Sequence, residues 1–156
     1  MIVIGIDPGI ARVGYGVIRK DKGVLSPIAY GCIQTDKDTP ASQRLLEIYR
    51  DLDRIFTKYR PESVALEKLF FSKNITSAMS VSEVRGVIRL LSEQRKIPVA
   101  EYTPSQVKQA ITGSGRADKR QMQEMVQRLL GLAELPRPDD AADGLSIALC
   151  HIHVLR

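Results

Sequence analysis

Cysteine, phenylalanine and long apolar runs are all scarce in this 156-residue chain, and each scarcity excludes something. The two cysteines, Cys32 and Cys150, stand in apolar surroundings without metal-ligand spacing, so they read as reduced core thiols. No run of apolar residues is long enough to cross a bilayer, and no signal-peptide pattern precedes Ile2, where the chain enters a strand directly. A cytoplasmic protein is therefore expected. Internal repeats and low-complexity stretches are absent too. One domain spanning residues 1–156 is expected, large enough to build a core without staples.

What is present describes an ordinary globular protein, 44% apolar and 26% charged. The net charge of +5 is unevenly spread. Residues 67–131 carry 11 Lys/Arg against 6 Asp/Glu, whereas residues 132–156 carry 2 against 4. A basic middle beside an acidic end fits a polyanion-binding surface next to a metal-binding pocket.

The most informative stretch is Ile2-Val3-Ile4-Gly5-Ile6-Asp7-Pro8-Gly9. Its β-branched run ends at an aspartate, and Pro8 biases Asp7 towards extended backbone, so the carboxylate closes a strand. On a period of two, Ile2, Ile4 and Ile6 share one face and Val3, Gly5 and Asp7 the other. Asp-Pro-Gly alone fits a turn aspartate capping its own backbone or a carboxylate neutralised by a metal ion equally well. Val13 to Ile18 and Val24 to Thr35 read as two further strands on short connections, an antiparallel meander with Pro27 marking an edge. Gly9, Gly14 and Gly16 are read chiefly as turn and bulge glycines, with close approach of a phosphate as the alternative.

Thr39-Pro40 predicts a helix start, with Thr39 as the N-cap, and Leu45, Tyr49, Leu52, Phe56 and Tyr59 recur at helical spacing up to Pro61. Ser63-Val64-Ala65-Leu66-Glu67 is again a strand that ends on an acid. A helix between the meander and this strand suits a parallel crossover beside the first strand, which sets Asp7 and Glu67 at the same sheet edge. Lys68, Phe70, Phe71, Lys73 and Asn74 follow; aromatics interleaved with cations and an amide suit either core packing or stacking on nucleic-acid bases. A helix over 76–95 presents Val81, Val84, Ile88 and Leu91, widened by Val87 and Leu90 towards a partner helix. Pro98 to Tyr102 is the fifth strand, and Thr103-Pro104 opens a short helix carrying Lys108.

Residues 113–117 read as flexible. Asp118 then caps a helix whose first turn holds Lys119 and Arg120; cations there oppose the macrodipole and point, with Arg116, to a bound anion. The last helix opens with Asp139-Asp140-Ala141-Ala142-Asp143, where Asp140 and Asp143 share a face and Asp143 lies too far in to cap. Leu145, Ala148, Leu149 and Ile152 form its apolar face. If this helix covers the strand edge, Asp7, Glu67, Asp140 and Asp143 converge. Four such carboxylates require cations, and hard oxygen donors select Mg²⁺ or Mn²⁺.

These motifs together resemble the RuvC-type Holliday junction resolvases. The resemblance rests on Asp-Pro-Gly followed by Gly-Tyr-Gly, Leu-Glu at the fourth strand, Phe70-Phe71 with Lys73-Asn74, Gln106-Val107-Lys108-Gln109, and Asp-Asp-Ala-Ala-Asp, and it runs the whole length in order. It implies an α/β, RNase H-like fold: a five-stranded mixed sheet, three antiparallel strands then two parallel, with helices on both faces. It implies a homodimer that cuts four-way junction DNA symmetrically, with two Mg²⁺ ions per active site for which Mn²⁺ can substitute, and a branch-migration helicase complex of the RuvA–RuvB type as partner. Asp7, Glu67, Asp140 and Asp143 match the metal-binding acids, Phe70 the stacking aromatic, and Lys108 and Lys119 the bases facing the cleaved phosphate. Arg116 and Arg120 are added from charge and position alone.

Two other readings compete. Actin-like ATPases and sugar kinases share the strand-Asp-Gly opening, but they enclose nucleotide between two such domains, and this length holds one. A junction-binding protein without catalysis would have no use for four intact acids.

Overall fold

The computed structural model describes residues 1–69 and 75–155. Three strands come first: β1 (Ile2–Asp7), β2 (Arg12–Asp21) and β3 (Val24–Gln34). Helix α1 (Ala41–Tyr59) leads to β4 (Ser63–Glu67), and α2 (Ile75–Gln94) to β5 (Val99–Tyr102). Three helices finish the chain: α3 (Pro104–Thr112), α4 (Lys119–Leu130) and α5 (Asp139–Val154). The strands form one mixed sheet in the order β3-β2-β1-β4-β5. β1 pairs antiparallel with β2 and parallel with β4, and β4 pairs parallel with β5. This is the expected topology. The register slips between Val17 and Ile18 of β2 opposite Ala29 and Pro27, an irregularity the proline imposes on edge strand β3.

Alternation along β1 sorts the core into two layers. Ile4 and Ile6 join Ile48, Leu52 and Phe56 of α1 and Val84, Ile88 and Leu91 of α2 on one face. Val3 joins Val107 of α3, Val126 of α4 and the apolar residues of α5 on the other. Asp7 falls on the α5 side with Val3 and Gly5, as a period of two requires.

Gly9 lies in the β1–β2 turn as read, but Gly14 and Gly16 have a different role from either one predicted. Gly5 pairs with Gly16, and Asp7 with Gly14, across the β1–β2 ladder, so these glycines clear a flat track on the α5 face. A Cβ on Gly14 would strike the Asp140 carbonyl oxygen, and one on Gly16 would lie 2.6 Å from the Leu145 nitrogen. From the helix side, a Cβ on Gly144 would come within 2.5 Å of the Tyr15 carbonyl carbon. Backbone therefore meets backbone, and α5 is buried almost all round, from Ala141 to Ile152 with only Asp143 partly open, rather than along a single stripe.

Several local expectations are corrected. Pro40, not Thr39, occupies the N-cap of α1, without a side-chain cap, because the Thr39 N–H is turned back to the Asp36 carbonyl at 3.1 Å. Residues 113–117 form a hydrogen-bonded turn: Gly113 ends α3 with φ 77°, Ser114 N–H donates to Thr112 Oγ1 at 3.1 Å, and Ala117 is buried. Cys150 is buried but Cys32 is only half-buried on β3, and both are free thiols. Capping boxes begin α3 at Thr103 and α4 at Asp118, as predicted. At the far end of α5, His151 Nδ1 shares a 2.6 Å hydrogen bond with the Tyr102 hydroxyl, and its Nε2 a 3.1 Å bond with Ser63 Oγ. That buried bridge ties α5 to β4 and β5. Among the described residues, no helix is long and apolar enough to cross a membrane.

Candidate active site

β1 and β4 end side by side, in the register Ile6 to Leu66, which places the next residues, Asp7 and Glu67, at one sheet edge. The glycine track lays the first turns of α5 over that edge. As a result, ligand oxygens of Asp7, Asp140 and Asp143 all lie within 4.8 Å of one another. Glu67 stands against the Asp7 carboxyl on the other side. The four predicted acids therefore converge, three as a compact cluster and Glu67 as its neighbour along the sheet.

Their electrostatics follow from this crowding. Burial, then the Glu67 charge, pushes Asp7 up from 3.8 to about 8. Burial and then Asp7 push Asp143 up to about 7. Glu67 is also raised, mainly by burial, against the opposing pull of a hydrogen bond with Asp7 and then of the Arg85 and Lys108 charges. Asp140 is treated differently: Arg12 Nε donates to its Oδ2 at 2.7 Å. At neutral pH burial and crowding thus favour the protonated forms of Asp7 and, in part, of Asp143, while Asp140 is paired with Arg12. Half-buried carboxylate oxygens this close fit a hard divalent cation, whose charge would replace those protons.

The rim is basic. A cleft of about 260 Å³ opens over the acids, lined by Asp7, Glu67 and Asp143 together with Lys108 of α3 and Lys119 and Gln123 of α4. Lys119 Nζ sits 3.1 Å from Asp139 Oδ2, a mostly exposed pair that contributes little by itself. A wider hollow of about 890 Å³ continues past Lys119, bordered by Arg12, Arg120 and Arg137. Arg120 also pairs with Glu124 at 2.8 Å along its own helix. Arg116 is exposed on the α3–α4 connection and is not part of the cleft wall. Phe70, Phe71, Lys73 and Asn74 lie outside the described residues.

Sequence reasoning missed Arg12, Arg85 and Arg137. Arg12 stands five residues beyond Asp7, just past the turn that follows the site strand, and that position was a usable signal. Arg85 sits among the buried residues Val84, Ile88 and Leu91 of α2, and its place directly after Val84 on that apolar stripe was the available signal. Nothing local marks Arg137, which reaches the hollow only through the fold.

Fold and site together define an RNase H-like α/β domain with acids from a strand end and the start of α5 clustered closely enough to hold a divalent metal ion. A family model described as crossover junction endodeoxyribonuclease RuvC matches residues 3–151. The chain belongs to the RuvC family. It is 51% identical over 153 residues to the crossover junction endodeoxyribonuclease RuvC of Desulfitobacterium hafniense, covering 98% of this chain and 93% of the relative. It is 49% identical to that of Pseudothermotoga lettingae, covering 99% and 95%. The structure of Thermus thermophilus RuvC superposes with a TM-score of 0.92 at 36% identity, covering 100% of this chain and 96% of that one. The same protein in complex with a Holliday junction substrate matches with a TM-score of 0.92 at 34% identity.

Proposed function

We propose that this chain is a single-domain endonuclease that resolves four-way DNA junctions by paired, symmetric phosphodiester hydrolysis. The observation that carries the reading is the meeting of Asp7, Asp140 and Asp143, with Glu67 beside them, under a rim formed by Lys108 and Lys119. Family membership supplies the substrate class, since a relative of the same fold is described with a Holliday junction bound.

Asp7, Glu67, Asp140 and Asp143 would hold two Mg²⁺ ions, with Mn²⁺ as a substitute. When bound, the ions lower the pKa of an attacking water and stabilise the leaving oxygen of an in-line displacement. The protein's own contribution is positional. Asp7 and Asp143 must give up the protons that burial and mutual repulsion make them hold, so ligation draws on groups kept near neutrality. Lys108 and Lys119 face the same cleft and hold the scissile phosphate against it. Lys119 leaves Asp139 to do so, and Arg12, Arg120 and Arg137 carry the strand onward through the wider hollow. The aromatic pair Phe70 and Phe71, with Lys73 and Asn74, is assigned to stacking and contact at the junction centre.

Two symmetric cuts require two sites at a fixed separation. The exposed face of α2, where Ile75, Met79 and Leu90 stand 72%, 63% and 56% open, is the homodimer surface in this reading. A RuvA–RuvB type helicase complex would deliver the junction in the cytoplasm. The test is a synthetic four-way junction labelled on each arm, with and without Mg²⁺. The parent protein should nick opposite strands symmetrically only with the metal, and Asp143→Asn should bind the junction without cutting it. Equal cutting of linear duplex, or parallel loss of binding and cutting in a folded Asp143→Asn, would overturn the reading.

A further inference from the structure

Arg85 is the one buried guanidinium among the described residues, 9% exposed, and it belongs to the layer on the opposite side of the sheet from α5. Its fork divides between two acceptors. Nη1 donates to the main-chain carbonyl oxygen of Glu67, and Nη2 donates to Glu101 Oε1 on β5 at 2.6 Å. Arg89, one turn further along α2, donates to the same Glu101 oxygen at 2.8 Å. Glu101 therefore anchors Arg85, and Arg85 holds the last peptide of β4.

That peptide matters because β4 ends on it, with Glu67 paired to Tyr102 of β5 alone. Glu67 is its last residue, and the Lys68 N–H reaches back to the Tyr102 carbonyl at 2.8 Å. The main chain leaves the sheet immediately afterwards. A carboxylate on the last residue of a strand inherits the mobility of that peptide, and metal ligation tolerates errors of only a few tenths of an ångström. Asp140 and Asp143 are steadied by a long, packed helix, and Asp7 by its pairing with Gly14 of β2. Glu67 is paired with Tyr102 of β5, and its peptide carbonyl takes a further bond from Arg85 on α2.

We infer that Arg85 is a positioning residue for the metal site, clamping the Glu67 peptide to Glu101 from behind the sheet so that the Glu67 carboxylate is presented to the cation. A lysine cannot replace it, because one ammonium cannot span a main-chain carbonyl and a carboxylate in the fixed geometry of a guanidinium fork. The inference rests on the metal-site reading above, and its test keeps the two apart.

The experiment measures Mn²⁺ binding to the whole protein without DNA, by electron paramagnetic resonance of free Mn²⁺ and by calorimetry, with thermal melts on the same samples. Arg85→Lys should stay folded and bind Mn²⁺ about 10-fold more weakly or worse, the scale on which groups that orient metal ligands act. Its junction cleavage should recover as metal is raised, which a loss of fold would not allow. Arg89→Lys, which leaves both Arg85 bonds in place, should bind as the parent does. Glu101→Gln, which removes the anchoring charge but not the clamp, should shift affinity in the same direction by less, and it decides the matter if Arg85→Lys does not fold. Parent-like Mn²⁺ affinity in folded Arg85→Lys or, failing that variant, in Glu101→Gln would overturn the assignment, provided that Asp7→Asn lowers affinity. If Asp7→Asn also binds normally, the metal site is wrong and the role of Arg85 falls with it.

Discussion

Replacing Asp7 with asparagine should make the metal-free protein more stable while making it inactive. Asp7 ionises near 3.8 in an unconstrained chain but at about 8 in the folded one. Between those values the native state holds a proton that the unfolded state has lost. Stability is therefore greatest below about pH 4 and falls as pH rises towards 8. At pH 7 this linkage sets a ceiling of about 4 kcal/mol against folding, and at pH 5 of about 2 kcal/mol, from 1.36 kcal/mol per pKa unit. Asparagine carries no charge to suppress, and its loss of charge also relieves Asp143, whose rise owes its second-largest part to Asp7. For a domain of this size each kcal/mol moves the melting temperature by about 2–4 °C. Melts in chelator from about pH 4 to pH 8 should then show the parent declining steeply and Asp7→Asn declining less. The two curves should meet at the acid end and stand apart by up to about 16 °C near pH 7. Mn²⁺ should lift the parent most at high pH and Asp7→Asn hardly at all. Parallel pH profiles, or a variant that is less stable throughout, would refute the claim that uncompensated charge is gathered at this site.

Two further predictions concern the surfaces around the site. Lys108→Ala and Lys119→Ala should each lower junction cleavage without lowering the melting temperature appreciably, and each should flatten the log–log salt dependence of binding by roughly 0.9; unchanged rates and slopes in both would make them bystanders. Leu90→Glu, on the exposed face of α2, should convert a dimer to a monomer in sedimentation at micromolar concentration while leaving the fold intact, and a parent protein that already sediments as a monomer would remove that surface from the account.

Much of this architecture was legible because local pattern and global fold agree. Strand ends carry the acids Asp7 and Glu67, capping boxes at Thr103 and Asp118 mark two helices, and the crossover rule alone places β4 beside β1. What was hidden is instructive. Gly14 and Gly16 have meaning only when α5 lies on them, and nothing nearby in the chain says which helix will. Arg85 went unnoticed, because an arginine that caps a strand end from another layer has no periodic signature. The place of Arg12 just past the Asp7 turn could be read, but its partner could not: it pairs with Asp140 across 128 residues, a distance over which charge patterning carries no signal. Close backbone contact and long-range ion pairing are properties of the assembled layers, and composition does not announce them.

The same contrast explains how the site survives its own repulsion. Asp7, Asp140 and Asp143 repel one another as charges, and Asp7 and Asp143 limit the effect by taking up protons, which lets the two share a hydrogen bond. The force that keeps them together comes from elsewhere on the elements that carry them. α5 is pressed to β1 and β2 through Gly5, Gly14, Gly16 and Gly144, and its far end is fastened through His151 to Ser63 and Tyr102. A helix gripped along its length transmits that grip to its first turn, so Asp140 and Asp143 stay over Asp7 although their own charges oppose it. The acids are thus arranged for a cation before any arrives, which is the condition for tight ligation with little reorganisation. It also follows that disrupting the glycine track should damage metal binding from a distance, because the site's geometry is stored in the packing of α5 rather than in the carboxylates.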